Sequence, residues 1–329
     1  MTFDERVHAV AKKGFTERQA RFLTTVMLHA GVCVPRQYAR FCGIVHGEKT
    51  RKFFAKLVRL GYGSMYDCRH NRAGVYHLNQ RALYAAIGEA DSRLRKPVTL
   101  NHAIQRLMVL DAIVEDPDLV WLGTAEEKTA HLTTLIRIQP ADLPHVAVGE
   151  SDVRTVRYFP DRLPIGIHPA GRGVVVYVVT DPWLDEFRAF LVRHAGLLRP
   201  LPAWTLRIVM PPQFPDIGQR AKQAVWNQVM TPIKTETLDE LRWYFEQARA
   251  QPAPSRCPDL DERFYRARDA FSAPRFKALY RVWKQDGEAA FTASRSHQLD
   301  EAVTTGAGRV ETLELGHRYG HLSPLVAVA

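Results

Sequence analysis

The sequence predicts an α+β protein with a helical N-terminal unit that ends in a β-hairpin, a central α/β segment and a helical C-terminal part. In the first hundred residues, apolar side chains recur at helical spacing between capping residues. Short β-branched runs and one helical stretch occupy the region from Leu143 to Met210. Aromatic residues at helical spacing follow Pro258. A chain of 329 residues has room for two or three such domains.

Two connectors give the expected domain boundaries. A basic stretch that ends at Lys96 is followed by Pro97, so we place the first boundary after Lys96. A Pro-rich stretch after residue 250 marks the second. The expected domains are residues 1–96, an α/β domain at 97–250 that serves dimerisation or sensing, and a C-terminal helical region with a tail at 251–329.

Charge is distributed unevenly along the chain. Residues 1–100 contain 18 Lys and Arg against 7 Asp and Glu, a net charge of +11. The remaining residues contain 27 against 28, a net charge of −1, and the two parts sum to the +10 of the whole chain. This asymmetry predicts that the N-terminal unit meets a polyanion, while the rest is an ordinary soluble body.

Three helices are predicted within the N-terminal unit. Thr16 and Gln19 form a reciprocal capping pattern at the start of the first helix, which ends at Gly31. Pro35 suits the first position of the second helix, which stops at Gly43. Each helix has an apolar stripe at helical spacing. The stripe of the first helix is Leu23, Val26, Met27 and Ala30, that of the second is Tyr38, Ala39, Phe41 and Cys42, and that of the third is Phe53, Phe54, Leu57, Val58 and Leu60.

The third helix, which begins near Gly47, carries a basic stripe. Its cations are spaced 3, 4 and 3 residues apart, which places them on one face beside the apolar side. They are Lys49, Lys52, Lys56 and Arg59. A helix with this profile, joined by a short turn to the helix before it, can lie in the major groove of DNA. The alternative is a solvated basic face on an ordinary helix.

A basic β-hairpin is predicted after the third helix. Gly61 breaks that helix, and short strands are expected at Ser64–Cys68 and Val75–Leu78. The connection between them is basic and turn-prone. Its tip residues are Arg69, His70 and Arg72. Such a tip can reach the minor groove or the phosphates beside a bound helix. The alternative is a plain hairpin without a nucleic-acid partner.

Three helices, a basic stripe and a basic hairpin in this order resemble the winged-helix transcription regulators. The runs Phe15-Thr16-Glu17-Arg18-Gln19 and Phe53 to Tyr62 also resemble the winged-helix start of replication-relaxation-type proteins of plasmids and integrated mobile elements. The likeness covers the first quarter of the chain. It implies a winged helix-turn-helix that binds double-stranded DNA, in a dimeric transcriptional regulator or a replication or transfer control factor of a bacterial mobile element.

The predicted DNA contacts come from the third helix, the hairpin tip and the start of the second helix. They are Lys49, Thr50, Arg51, Lys52, Lys56, Arg59, Arg69, His70, Arg72 and Arg36. Arg51 is expected to read a guanine, because a guanidinium can pair with both of its major-groove acceptors. The lysines are expected to hold phosphates as point charges.

After the first boundary, one helix is apolar around most of its circumference. Its apolar residues are Leu100, Ile104, Leu107, Met108, Leu110, Ile113 and Val114. Burial on several sides is therefore expected, either at the centre of the second domain or in a homodimer interface. A second capping pattern at Thr124 and Glu127 opens a helix that runs through Leu135.

The central segment has the order strand, strand, strand, helix, strand. The strands are expected at Val153–Phe159, Leu163–His168, Val174–Val179 and Thr205–Met210, with the helix at Pro182–Leu198. This order resembles the core of PD-(D/E)xK nucleases. The resemblance implies a Pro-Asp near one strand and an acid-x-Lys on the next, which together bind a metal and activate water.

Only the first half of that nuclease pattern is present. Pro160-Asp161 fits it, but the strand from Val174 to Val179 contains neither an acid nor a lysine, so a divalent metal would have too few oxygen ligands. We therefore expect a degenerate nuclease-like core used for structure or sensing, with Asp161 as a turn residue. The alternative is a nuclease-like DNA-processing enzyme, or an accessory subunit of one, targeted by the winged helix.

Other signals for chemistry are weak. Cys33, Cys42, Cys68 and Cys257 form no CxxC pair, which predicts neither a disulfide framework nor a zinc site. The sequence contains no GxSxG elbow, Walker loop or dinucleotide fingerprint. We expect no enzymatic activity, no cofactor and no metal. The beginning of the chain resembles no secretory signal and no apolar run is long enough to span a bilayer, so a cytoplasmic protein without a membrane partner is expected.

The C-terminal part combines aromatic residues with cations. It could form a second nucleic-acid surface. However, aromatic residues at helical spacing belong more often to a core, and nearby acids offset the cations. We therefore expect these aromatic residues to pack inside.

Overall fold

A computed structural model of the chain describes residues 1–67, 74–148, 155–180, 182–214, 216–250, 258–292 and 297–319. Helices and three separate sheets alternate along these residues, so the predicted α+β class is confirmed. Within the described residues, no helix is both long and apolar enough to cross a bilayer.

The N-terminal region contains the three predicted helices and the predicted hairpin. Its elements are α1 (Phe3–Ala11), α2 (Glu17–His29), β1 (Val32–Cys33), α3 (Pro35–Phe41), α4 (Glu48–Arg59), β2 (Gly63–Asp67), β3 (Gly74–Leu78) and α5 (Arg81–Ala86). The sequence prediction did not include α1 or β1. The three strands form an antiparallel sheet in the order β1-β3-β2.

The predicted ends of these helices are confirmed by their capping contacts. The backbone N–H of Gln19 donates to Thr16 Oγ1 (3.4 Å), and the backbone N–H of Thr16 donates to Gln19 Oε1 (3.1 Å). Gly31 and Gly43, at φ angles of 70° and 61°, adopt the left-handed conformation that favours glycine after a helix.

An aromatic core holds these helices together. The rings of Tyr38 and Phe53 stack with centroids 4.2 Å apart, and Phe54 lies 4.9 Å from Phe53. Phe22 of α2 makes edge contacts with Tyr38 and Phe53. Because Phe53 and Phe54 belong to α4, this packing fixes which face of α4 is turned outward.

The rest of the chain forms a larger body. Its elements are α6 (Leu100–Val114), β4 (Val120–Leu122), α7 (Ala125–Ala130), β5 (His145–Val148), β6 (Thr155–Tyr158), β7 (Ile165–Ile167), β8 (Gly173–Val178), α8 (Asp185–Leu198), β9 (Trp204–Met210), α9 (Ile217–Val225), α10 (Thr235–Ala250), α11 (Pro258–Ala270), α12 (Pro274–Asp286), α13 (Ala289–Thr292), α14 (Gln298–Thr304) and β10 (Gly308–Glu314). One π turn continues α7 to Leu135, where the predicted helix ends.

The main sheet of the body has the strand order β10-β9-β8-β7-β4. β4, β7 and β8 are antiparallel neighbours, α8 follows β8, and β9 and β10 then run parallel to β8. The strand predicted at Val153–Phe159 was assigned to the wrong sheet, because its described part, β6, pairs with β5 in a separate hairpin. β4 and β10 were not predicted from the sequence. β4 has only three residues, and charged residues interrupt the apolar residues of β10.

Helix α6 packs inside the chain. Leu110 joins the apolar cluster of the N-terminal helices, while Leu107 and Met108 pack in a cluster that contains Val75 of β3 and Val174 of β8. The apolar residues of α6 are therefore buried between the N-terminal region and the main sheet, as expected from the sequence. The cluster that contains Leu107 and Met108 joins residues from both sides of the boundary expected after Lys96.

The C-terminal helices pack as the sequence predicted. Phe271, Leu279 and Trp283 share one buried cluster with residues of α8 and α10. Several nearby arginines are paired, including Arg263 with Glu240 (2.6 Å) and Arg281 with Glu186 (2.5 Å). Phe276 and Tyr280 pack against this cluster half-buried, so the expected aromatic core is confirmed for these residues, whereas Tyr265 is exposed.

Candidate nucleic-acid interface

The basic face of α4 is exposed to solvent among the described residues. Thr50, Phe53, Phe54 and Leu57 are buried on the side that packs against α2 and α3. The opposite side carries exposed residues, which are Lys49, Arg51, Lys52, Ala55, Val58 and Arg59. We call this set the α4 face. It combines cations with two small apolar side chains.

Glu48 is the nearest acid to two of these cations. Its carboxylate lies 2.9 Å from Arg51 Nη2 and 3.5 Å from Lys52 Nζ, and all three side chains are at least 60% exposed. Exposed ion pairs of this kind contribute little and are readily exchanged for another anion. The two cations are therefore available to a phosphate or a base edge.

Lys56 is placed at the edge of the α4 face. It is half-buried, its Nζ donates a hydrogen bond to the carbonyl oxygen of Gly14, and it lies 5.4 Å from the centre of the Phe15 ring. Its ammonium thus already binds the turn between α1 and α2. Lys56 differs in this respect from Lys49, Lys52 and Arg59.

Two predicted contact residues have other roles. The side chain of Thr50 is fully buried, so the prediction that it contacts DNA directly needs correction. The phase of the helix explains this, because Thr50 lies one turn before Phe53 and Phe54 on the packed side. Arg36 makes a two-pronged ion pair with Asp111 of α6, with both N–O distances at 2.7 Å.

The Arg36 ion pair is part of a junction between α3, α6 and the end of the described chain. Tyr319 Oη donates a hydrogen bond to Asp111, and the Arg36 guanidinium lies 5.5 Å from the centre of the Tyr319 ring. Charge-assisted pairs with this geometry are strong. We therefore leave Arg36 out of the proposed contacts.

The remaining predicted contacts, Arg69, His70 and Arg72, lie outside the described residues. The strand leading to them presents Met65 and Tyr66, which are 45% and 49% exposed. The predicted hairpin strands are thus confirmed, while the placement of the tip cations stays a prediction.

Three further cations surround the α4 face and were missed by sequence reasoning. Lys12 and Lys13 are exposed at the end of α1, next to Gly14, and Arg18 is exposed in the first turn of α2. Arg18 lines a groove between α2 and α4 together with Lys49, Lys52 and Lys56. The adjacent lysines before Gly14 were a visible signal, but only the packing of α1 places them beside Lys56.

The Pro160-Asp161 turn has structural partners. Asp161 Oδ2 lies 2.8 Å from Nε2 of the buried His194, and Asp161 Oδ1 accepts a hydrogen bond from the backbone N–H of Leu163 (3.3 Å). The second contact is that of a turn residue, as predicted. Within the described residues, no group of three or more His, Cys, Asp and Glu side chains is placed to hold a metal ion.

Comparisons of the chain with protein-family models, with curated proteins and with solved structures give no match.

Proposed function

We propose that this protein binds duplex DNA through a winged helix-turn-helix formed by α2, β1, α3, α4 and the β2–β3 hairpin. The observation that carries the proposal is the α4 face, a row of cations held outward by a fully packed aromatic core on the other side of the same helix. A helix so placed after a short turn can enter a major groove, with the hairpin beside it.

The side chains of the α4 face suit different parts of a DNA site. Arg51 lies near the start of α4, where a recognition helix enters the groove most deeply, and its guanidinium matches guanine. Ala55 and Val58 offer apolar contact to a thymine methyl group. Lys49, Lys52 and Arg59 suit phosphates. Lys12, Lys13 and Arg18 extend the positive surface toward neighbouring phosphates of the DNA backbone.

In the cell, we propose a dimeric transcriptional regulator, or a factor that controls replication or transfer of a bacterial mobile element. Two copies would place their α4 helices about 34 Å apart on a two-fold symmetric site. Light scattering of the protein with and without such a duplex measures the stoichiometry. One chain per duplex on a site with two half-sites would contradict the dimer.

A nuclease-like function is the second candidate, and the order of β4, β7, β8, α8 and β9 favours it. Against it, β8 contains no acid or lysine, and Asp161 is engaged by His194 and by the turn. We expect no cleavage of plasmid or linear DNA with Mg²⁺ or Mn²⁺. Cleavage that disappears in Asp161→Asn would reverse the order of the two candidates.

The DNA-binding proposal is tested with the full chain by fluorescence anisotropy on labelled duplexes. The double variant Lys52→Ala/Arg59→Ala removes two cations of the α4 face. The matched control Lys222→Ala removes an exposed lysine of α9. We expect the double variant to weaken binding about tenfold or more at low salt, since each phosphate contact releases counterions. Equal affinities for all three proteins would refute the proposal.

A further inference from the structure

A second cationic site lies away from the α4 face. A cleft of about 1060 Å³ opens between the N-terminal helices and the body, with walls from α1, α2, the segment after α5, α7 and the strand β6. This volume is in the range of small-molecule sites. Met27, Leu28 and Ile87 give it an apolar wall, while its cations are Arg6, Arg93, Lys128, Arg157 and Arg162. We call it the α7 cleft.

Lys128 is the most buried cation of the cleft. It is only 3% exposed, and its Nζ lies 5.7 Å from the centre of the Phe159 ring. In the part of the chain that the structure describes, its ammonium makes no ion pair and no hydrogen bond. Burial lowers the pKa of Lys128 to about 8, despite the opposing attraction of Asp161. An isolated buried ammonium is unfavourable unless an anion joins it.

Arg162 is a second cation without a partner. Among the described residues its guanidinium has no hydrogen bond and no ion pair. Burial lowers its pKa to about 10, and the nearby charge of Arg106 acts in the same direction. Nη1 of Arg106 is itself buried and donates no hydrogen bond to the described residues. Positive charge thus accumulates on this side of the cleft.

The backbone that carries Arg162 is held in an unusual conformation. Phe159 and Arg162 have φ angles of 49° and 56°, in the left-handed region that non-glycine residues rarely adopt. The backbone N–H of Arg162 donates to the carbonyl oxygen of Phe159 (3.0 Å) and closes the turn. Strained residues of this kind cluster at binding sites. The turn keeps Arg162 at the cleft.

Nearby acids attract these two cations, Asp161 and Glu127 acting on Lys128 and Glu89 on Arg162, but none of them forms an ion pair with either cation among the described residues. Glu127 is bound by Arg6 Nη1 (2.5 Å) and by the backbone N–H of Gly123 (2.7 Å). Asp161 is paired with His194. The other acids that line the cleft are Glu89, Asp91 and Glu126. These acids likewise form no ion pair with Lys128 or Arg162 among the described residues.

We infer that the α7 cleft binds a small phosphate-bearing ligand, whose phosphate is held by Lys128 and Arg162. A phosphate dianion can compensate both cations at once, whereas a single carboxylate compensates one. Its several acceptor oxygens can take the ammonium of Lys128 as a point charge and the fork of Arg162 in parallel hydrogen bonds. The apolar wall would contact an organic group attached to the phosphate.

The test uses titration calorimetry of the full chain at constant ionic strength, with inorganic phosphate and adenosine monophosphate as probes. The variants Lys128→Met and Arg162→Gln each remove one cation. The matched control is Lys222→Met, because Lys222 is exposed and does not line the cleft. We expect saturable binding by the wild type and the control, and affinity that is weaker by about tenfold or more in both cleft variants.

The two probes separate the sources of the phosphate. Tighter binding of adenosine monophosphate identifies a phosphate monoester with an organic body, while equal binding identifies free phosphate, and both results support the site. No saturable binding of either probe to the wild type would overturn the inference. Undiminished binding in Lys128→Met and Arg162→Gln would overturn it as well. These measurements are independent of DNA binding, because Lys128→Met and Arg162→Gln do not alter the α4 face.

Discussion

The α4 face and the α7 cleft both collect cations, but water reaches them to very different degrees. Arg51 and Lys52 are about three-quarters exposed, and both form solvent-exposed ion pairs with the adjacent Glu48. Lys128 is almost fully buried and has no such partner among the described residues. An exposed cation is stabilised by solvent whether or not an anion is bound, whereas a buried one depends on what enters the cleft.

This difference indicates different partners for the two regions. Exposed cations in a row suit a polyanion whose bound counterions are released on contact. A buried lysine and a half-buried arginine in a cleft suit one small dianion that replaces their missing solvent. The two regions should therefore differ in their response to salt, to pH and to single substitutions.

The largest expected difference between the regions is their response to salt. The α4 face and its surroundings offer six or more cations to phosphates, so raising the salt from about 50 to 200 mM should weaken DNA binding about 1000-fold. Phosphate binding in the α7 cleft should weaken less than about tenfold, because partly buried pairs are screened much less. Anisotropy and calorimetry over one salt series measure both. Parallel salt slopes would break the comparison.

The second prediction concerns how much the buried charge of Lys128 destabilises the folded protein. Its pKa is lowered from 10.5 to about 8, which corresponds to about 3 kcal/mol at neutral pH. In phosphate-free buffer at pH 7, Lys128→Met should therefore raise the free energy of unfolding by up to about 3 kcal/mol. Denaturant unfolding measures this value, and Lys222→Met is the exposed control.

The pH dependence of that gain has a definite sign. Between pH 8 and 10.5 the unfolded wild type binds more protons at Lys128 than the folded one, so wild-type stability rises with pH relative to the variant. The gain should be complete below pH 8 and absent above 10.5. The other charged groups that influence the pKa of Lys128 are Asp161 and Glu127, which raise it, and Arg162, which lowers it. A gain that does not change with pH would contradict this account.

The third prediction separates base reading from phosphate contact within the α4 face. Arg51→Ala should weaken binding to the preferred duplex by about 1 to 3 kcal/mol and reduce the preference over a scrambled duplex. Lys52→Ala should weaken binding to both duplexes alike and lower the salt slope by about one ion. Anisotropy on the two duplexes distinguishes these outcomes. An unchanged preference in Arg51→Ala would remove it as a base contact.

The sequence predicted the α4 face better than the α7 cleft, for a physical reason. Helical periodicity places Lys52 and Arg59 on one side of α4 from local spacing alone, and Gly47 precedes the first residue of that helix. Thr50 was misassigned because it lies near the start of the helix, where groove contacts are expected, although its helical phase places it on the packed side. The cleft joins Lys128 and Arg162, which are distant in sequence, and neither their burial nor the lack of a nearby partner is visible in local patterns.

Long-range pairing limited the fold prediction in the same way. β8 was recognised as a run of β-branched residues, but β10 alternates with charged residues and joins the sheet through parallel pairing with β9. β6 is a regular strand, yet pairing assigns it to a separate hairpin with β5. The sequence indicates extended segments where β-branched residues cluster, whereas the sheet that each segment joins depends on tertiary contacts.

The smallest expected effect belongs to Lys56 at the edge of the α4 face, and it tests whether exposure or position determines a DNA contact. Its ammonium already donates to the Gly14 carbonyl and lies near the Phe15 ring. Lys56→Ala should therefore lower the salt slope of DNA binding by less than one ion, while Lys52→Ala lowers it by about one. It should also lower the free energy of unfolding by about 1 kcal/mol, since a hydrogen bond and a cation–π contact are lost. Anisotropy at several salt concentrations and denaturant unfolding measure the two effects. If Lys56→Ala matches Lys52→Ala in salt slope and leaves stability unchanged, Lys56 releases Gly14 on binding and contacts phosphate as fully as its exposed neighbours.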